Sequence, residues 1–135
     1  MPPATENQLL DLTRQLLNSI ADQDWSVYER LCDPSLTCFE PESRGQLVSG
    51  MDFHKFYFDL KGSRGPRNTT LVAPQVRLLG PDAAVVSYVR LIQKLDGDSG
   101  PVTSALEETR VWQRIQGEWK HVHFHRSETA RTSTT

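Results

Sequence analysis

Ser104–Arg126, SALEETRVWQRIQGEWKHVHFHR, is the stretch on which the fold turns. Two runs of alternating polar and apolar residues flank a short Gln-Gly-Glu turn, the pattern of a β-hairpin whose faces can be followed by counting. Leu106, Glu108, Arg110 and Trp112 fall on one face of the first strand, while Val122, Phe124 and Arg126 share a face of the second. Each apolar face therefore carries a guanidinium, which needs an acidic partner or an anion if it is to leave water. His121, His123 and His125 alternate on the opposite face of the second strand. The outer two stand roughly 13 Å apart along an extended chain, too far to converge on one ion, so the spacing predicts a packed sheet surface and no metal site.

Upstream of the hairpin, Ala83–Lys94 (AAVVSYVRLIQK) is apolar on both faces, as a long central strand should be. Arg90 shares its face with Val86, Tyr88 and Ile92. Before it, Thr70–Gly80 (TLVAPQVRLLG) is a strand broken at Ala73-Pro74, which predicts an edge position or a bulge. Asp96–Gly100 is a turn, and Lys61–Asn68 (KGSRGPRN) reads as an exposed, mobile loop without the strand-to-helix setting of a phosphate loop.

The first 60 residues change period. Thr5 and Gln8 suggest a capping box, after which Leu9, Leu12, Leu16 and Ile20 recur on one helical face, widened by Leu10 and Leu17. A second helix is expected from Asp24, with Trp25, Tyr28 and Leu31 inward, stopping before Asp33-Pro34. Ser35–Glu40 is a short strand or extended arm, and a third helix over about Met51–Leu60 would face inward with Phe53, Phe56, Tyr57 and Leu60, leaving His54 and Phe58 at the border. Helices first and an antiparallel sheet afterwards define an α+β fold, and a curved sheet packed on those helices leaves a cone with an internal cavity.

A chain of 135 residues can build one core but not two. Its formal net charge of -2 argues against a non-specific nucleic-acid footprint, and no run approaches the roughly 18 apolar residues that span a membrane. The N-terminus lacks a basic region followed by an apolar run. Cys32 and Cys38 form neither a disulfide framework nor a CxxC motif, which suggests buried thiols in a reducing, cytoplasmic setting. Residues 1–8 are expected to be a flexible lead, 9–127 the domain and 128–135 a disordered polar tail.

If the arginine-bearing faces are concave, Arg90, Arg110 and Arg126 enter one pocket, with Glu108 of the right parity to pair with them. Arginine suits such a place because its planar fork holds a carboxylate bidentately and stays charged. The same property makes it a poor base, and no local Ser or Cys nucleophile is supplied with a base and an orienting acid, so the residues favour binding over catalysis. An isomerase-like enzyme using the same cavity is the alternative.

Several segments then go beyond periodicity: LCDPSLTCFEPE at Leu31–Glu42, LVSGMDFHKFYF at Leu47–Phe58, NTTLVAPQVRLLG at Asn68–Gly80, SYVRL at Ser87–Leu91 and EETRVWQRIQGEWKHVHFHRS at Glu107–Ser127. Together they resemble the association, or hub, domain of calcium/calmodulin-dependent protein kinase II. The resemblance implies a conical fold shared with nuclear transport factor 2 and ketosteroid isomerase. It also implies a non-catalytic scaffold of two stacked rings, of twelve or fourteen subunits, that gathers attached or co-assembling kinase subunits. Through YVR, EETR, HFHR and MDFH it maps a ligand pocket for a small carboxylate onto Arg90, Arg110, Arg126 and His54, to which Glu108 and Tyr57 are added here; no cofactor is implied. The connection Asp59–Asn68 is shorter than in that family and lacks its tryptophan, so a loop response to ligand is not carried over.

Overall fold

The structure, a computed structural model, describes residues 2–60, 67–95, 97 and 100–129. Among these residues, three helices and six strands follow in the order α1 (Pro2–Ala21), α2 (Trp25–Leu31), β1 (Cys32–Phe39), β2 (Val48–Ser49), α3 (Asp52–Asp59), β3 (Arg67–Leu78), β4 (Ala83–Leu95), β5 (Pro101–Ile115) and β6 (Glu118–Glu128), with a 3-10 turn at Pro41–Ser43. One sheet contains every strand, in the order β2-β1-β6-β5-β4-β3. Strands β3 to β6 form an antiparallel meander, whereas β1 joins β6 in parallel and β2 closes the far edge.

The opening hairpin is β5–β6. Its two-residue turn has positive φ at both Gln116 (51°) and Gly117 (81°), the twist that lets flanking strands stay paired. Register breaks at three places in the sheet, once between β1 and β6 from Cys32 to Thr37 and twice within the meander. In β3 the register against β4 shifts between Val72 and Gln75, where Ala73 sits at φ 50° before Pro74, so the proline lies both at a bulge and on the edge strand. The second lies in β6, where Trp112 pairs with His121 but Val111 pairs with His123, leaving Val122 as an extra residue.

That second bulge corrects the alternation inferred for HVHFH. One inserted residue flips the faces on either side of it. His121 is consequently buried with Phe124 on the inner side, while His123 reaches Thr37 at 2.7 Å on β1 and His125 is exposed. The three imidazoles do not share a face.

Helix α1 begins at Pro2, so it takes in residues set apart as a flexible lead and places Thr5 inside the helix rather than at its cap. Proline is well accommodated in a first turn, where its missing N–H has no intrahelical partner to lose. The buried side is Leu9, Thr13, Leu16 and Leu17, with Leu12 and Ile20 only partly covered. Thr13 can be buried because its hydroxyl bonds Leu9 O at 2.8 Å and accepts the indole N–H of Trp112 at 3.2 Å. These side chains meet Ala84, Val86, Trp112 and Phe124 of the sheet in one core.

Asp24 caps α2, its carboxylate accepting from Val27 N at 3.4 Å, and Tyr28 and Leu31 are buried as expected. Helix α3 is rotated from the expected setting. His54 and Phe58 point inward, Phe58 packing on Trp25 and Tyr28 at centroid distances of 5.2 and 4.8 Å, while Phe56 and Leu60 are 61% and 49% exposed. The aromatic rings of α2 hold this side of α3, Tyr28 also meeting the His54 ring at 6.0 Å, and the longer stripe is left outward. Strand β6 continues to Glu128, and Thr129 N bonds Ala105 O at 3.2 Å. The remaining tail, most of the Lys61–Asn68 loop and most of the Asp96–Gly100 turn lie outside the described residues.

Candidate functional site

Pairing between β4 and β5 sets Tyr88 opposite Glu108 and Val86 opposite Arg110, and alternation aims Tyr88, Arg90, Glu108 and Arg110 at the concave side. All four are buried. Glu108 is the hub of the network. Its Oε1 accepts from Tyr88 Oη at 2.6 Å and Arg110 Nη2 at 3.0 Å, while Oε2 accepts from Arg90 Nη1 at 3.0 Å. Arg110 Nε also donates to Tyr88 Oη at 2.8 Å, Nη1 meets His121 Nε2 at 3.3 Å, and the guanidinium lies 4.6 Å over the Phe124 ring. The buried Nε of Arg90 has no partner among the described residues.

A second cluster comes from the end of β1 and the turn after it. Arg126 Nη2 donates to Glu40 Oε1 at 2.7 Å and also to Glu42. Glu40 Oε2 accepts from the Cys38 thiol at 3.2 Å and lies 3.6 Å from His54 Nδ1, and His54 Nε2 is 3.8 Å from Cys38 Sγ. Between the two clusters lies a cavity of about 680 Å³ lined by Tyr28, Glu40, His54, Tyr57, Arg90, Arg110 and Arg126, with Arg67 and Lys94 on the β3–β4 side. Its size suits a small molecule.

Electrostatics separates the groups. Burial alone would raise the Glu108 carboxyl, but Arg110 and Arg90 hold it down to about 2, so it is ionised. Burial works against the charge on Arg110, yet Tyr88 and Glu108 raise its affinity for the proton; Arg90 is lowered by burial, which Glu108 only partly offsets. One carboxylate facing two guanidinium groups leaves this corner of the cavity net positive. Burial, then Arg110 and Arg126, pull His54 down to about 4, so its approach to Glu40 at neutral pH joins a neutral imidazole to a carboxylate. Burial pushes Cys32 up to about 12 and raises Cys38 as well, so both thiols stay protonated and neither is an activated nucleophile.

The structure brings five of the six expected pocket residues, Arg90, Arg110, Arg126, His54 and Tyr57, to the cavity wall, and sets Glu108 behind the arginines as their counter-charge. Sequence reasoning missed Glu40 and Glu42, although their flanking of Pro41 beside a parity-matched Cys38 is a readable signal. It also missed Arg67 and Lys94, which become neighbours only through the β3–β4 register, and His121, hidden by the bulge. The cysteines are buried as expected, and each also meets a histidine distant in sequence, Cys32 Sγ lying 3.4 Å from His121 Nδ1.

Residues 5–130 match the family model of the calcium/calmodulin dependent protein kinase II association domain. The chain is 48% identical over 126 residues to the rabbit (Oryctolagus cuniculus) calcium/calmodulin-dependent protein kinase type II subunit delta, covering 92% of this chain and 24% of that one, so it spans about a quarter of that relative's length. It superposes on the association domain of C. elegans CaMKII with a TM-score of 0.87 at 44% identity, covering 93% of this chain and 96% of that domain. A nuclear transport factor 2-like superfamily protein from Salmonella enterica shares the fold at TM-score 0.76 and 24% identity, over 99% and 97% of the two chains.

Proposed function

The chain belongs to the calcium/calmodulin-dependent protein kinase II association-domain family, and from that premise we propose that it is a non-catalytic oligomerisation scaffold whose copies close into two stacked rings of twelve to fourteen subunits. The observation that carries this reading is the likeness to association domains across nearly the whole chain. Surface chemistry supports it. Phe56 of α3, Leu60 just after it, Leu47, Leu79 just after β3 and Leu95 at the end of β4 are all about half exposed or more, which is costly on an isolated small domain and useful between copies. Such a particle would gather kinase subunits attached to it or co-assembled with it, in the cytoplasm. A doubly paired Glu108 that is ionised far below neutral pH makes a weak base, which removes that residue as the base of the isomerase-like alternative.

The cavity is read as a site for a small carboxylate. Arg90 spends one nitrogen on Glu108 and keeps donors at the wall, with Lys94 further along the same strand and Arg67 paired beside it on β3, so an anion there would offset the positive excess. Mass photometry of the 15.3 kDa chain tests the assembly: roughly 180–210 kDa is expected for a closed ring pair, and monomers or dimers at micromolar concentration would reject it. Calorimetry with succinate, comparing the intact chain with Arg90→Met, tests the pocket separately. Loss of binding in the variant supports it, and equal binding removes it.

A further inference from the structure

Cys38, Glu40 and His54 stand apart from the arginine network in their chemistry. They offer a thiol sulfur, a carboxylate oxygen and an imidazole nitrogen whose donor atoms all lie within 4.8 Å of one another. A tetrahedral ion of the zinc type, with bonds of about 2.0–2.3 Å, holds its donors roughly 3.3–3.8 Å apart. Cys38 Sγ lies 3.2 Å from Glu40 Oε2, and His54 flanks the pair with Nε2 3.8 Å from Cys38 Sγ and Nδ1 3.6 Å from Glu40 Oε2; one of the two ring nitrogens ligates, and with one donor from each residue all three lie within 4.8 Å of one another. We propose that Cys38, Glu40 and His54 bind a single divalent ion of the zinc class, with the fourth coordination position open to the cavity.

Two elements bring the donors together. Cys38 lies on β1 and Glu40 immediately follows that strand, so alternation aims both the same way, and the first turn of α3 lays His54 over them. Glu40 divides its oxygens: Oε1 is held by Arg126 at 2.7 Å and Oε2 faces the thiol and the imidazole. A carboxylate fixed through its far oxygen is how outer-sphere partners orient a ligand. The thiol proton now occupies the line between Cys38 and Glu40. An ion entering there displaces that proton to solvent and is bound by thiolate, carboxylate and neutral imidazole.

Arg126 does not forbid the cation, because Glu42 supplies it with a second carboxylate. Counting the thiolate, Glu40, Glu42, Arg126 and the divalent ion, the charges of the wall cancel. Glu40 and His54 line the cavity, so water or a small carboxylate can complete the coordination shell. Mixed N, S and O donors in a buried setting select zinc-like ions over magnesium or calcium, which prefer oxygen. Cys32 and His121 form a second thiol–imidazole pair without a third donor among the described residues, and are not proposed to take part.

Cobalt(II) titration of the full 135-residue chain provides the test, because a cobalt–thiolate bond absorbs in the near ultraviolet. One equivalent of cobalt should produce the band and zinc should displace it. Cys38→Ser should abolish the band, Glu40→Gln should weaken zinc binding at least about tenfold, and Cys32→Ser should retain the band; circular dichroism checks the folding of each, and two independent variants of the triad keep the result readable if one misfolds. No band in the intact chain, a band that survives Cys38→Ser, or a band lost only in Cys32→Ser would overturn the assignment. Zinc binding of equal strength in the intact chain and both triad variants would do so too, as it would report an adventitious surface ion only.

Discussion

Replacing Glu108 by Gln is the sharpest probe of the buried network. The substitution keeps the shape of the side chain and removes one charge that serves two guanidinium groups. The Glu108 side chain is fully buried, and those of Arg90 and Arg110 are 6% and 1% exposed, so solvent screens little. At the effective dielectric suited to protein sites, each pair is worth about 4 kcal/mol of attraction. Losing both is partly offset because the carboxylate no longer has to be desolvated. The net expectation is the cost of leaving buried charges unpaired, about 3–5 kcal/mol. That is a large part of the roughly 5–15 kcal/mol that holds a domain together. Urea unfolding at fixed protomer concentration, followed by tryptophan fluorescence, measures it, and fixing the concentration removes the mass-action contribution of assembly. Added small carboxylate should then restore the variant more than it stabilises the parent, since it supplies the missing counter-charge. A loss below about 1 kcal/mol, the range of exposed ion pairs, would refute the reasoning.

Acid should act on the domain in a defined window. The folded-state value of His54 is depressed to about 4 from an ordinary 6.5, so between those values the unfolded chain binds more protons, and stability present above about pH 6.5 is lost as the pH falls towards 4. At most about 3 kcal/mol is involved, and His54→Gln should flatten part of the slope of thermal unfolding against pH, His121, also depressed, supplying another part. Thr13→Val should cost about 1–3 kcal/mol in urea unfolding, because the buried indole N–H of Trp112 loses its acceptor; an unchanged midpoint would show that the 3.2 Å contact contributes nothing.

Strands β4 and β5 run for 13 and 15 residues without interruption along their shared register. Over such lengths every second residue is committed to one face, and Arg90, Glu108 and Arg110 could be placed by counting alone. Counting failed where one residue was inserted. Val122 shifts the phase of β6, and nothing in HVHFH distinguishes a bulged valine from a paired one. Helix α3 failed for another reason: Phe53, Phe56, Tyr57 and Leu60 do form an apolar stripe, but a stripe does not state whether it faces its own core or another molecule. The Glu40–Arg126 contact joins residues 86 apart in sequence, and no local pattern encodes that distance.

The parallel pairing of β1 with β6 bears on the order of events during folding. Antiparallel neighbours β3 to β6 can zip together across short turns, each closing a small loop. Strand β1 must wait, because its Cys38 and the partner residue Phe124 of β6 are far apart in the sequence, and closing so long a loop is entropically costly before any contact rewards it. During synthesis β1 emerges early and has no long partner strand until β6, the last one, is made. The step that adds β1 is therefore the slow one, and it is also the step that brings Cys38 and Glu40 to Arg126. The wall of the cavity and the edge of the sheet are completed in a single late event.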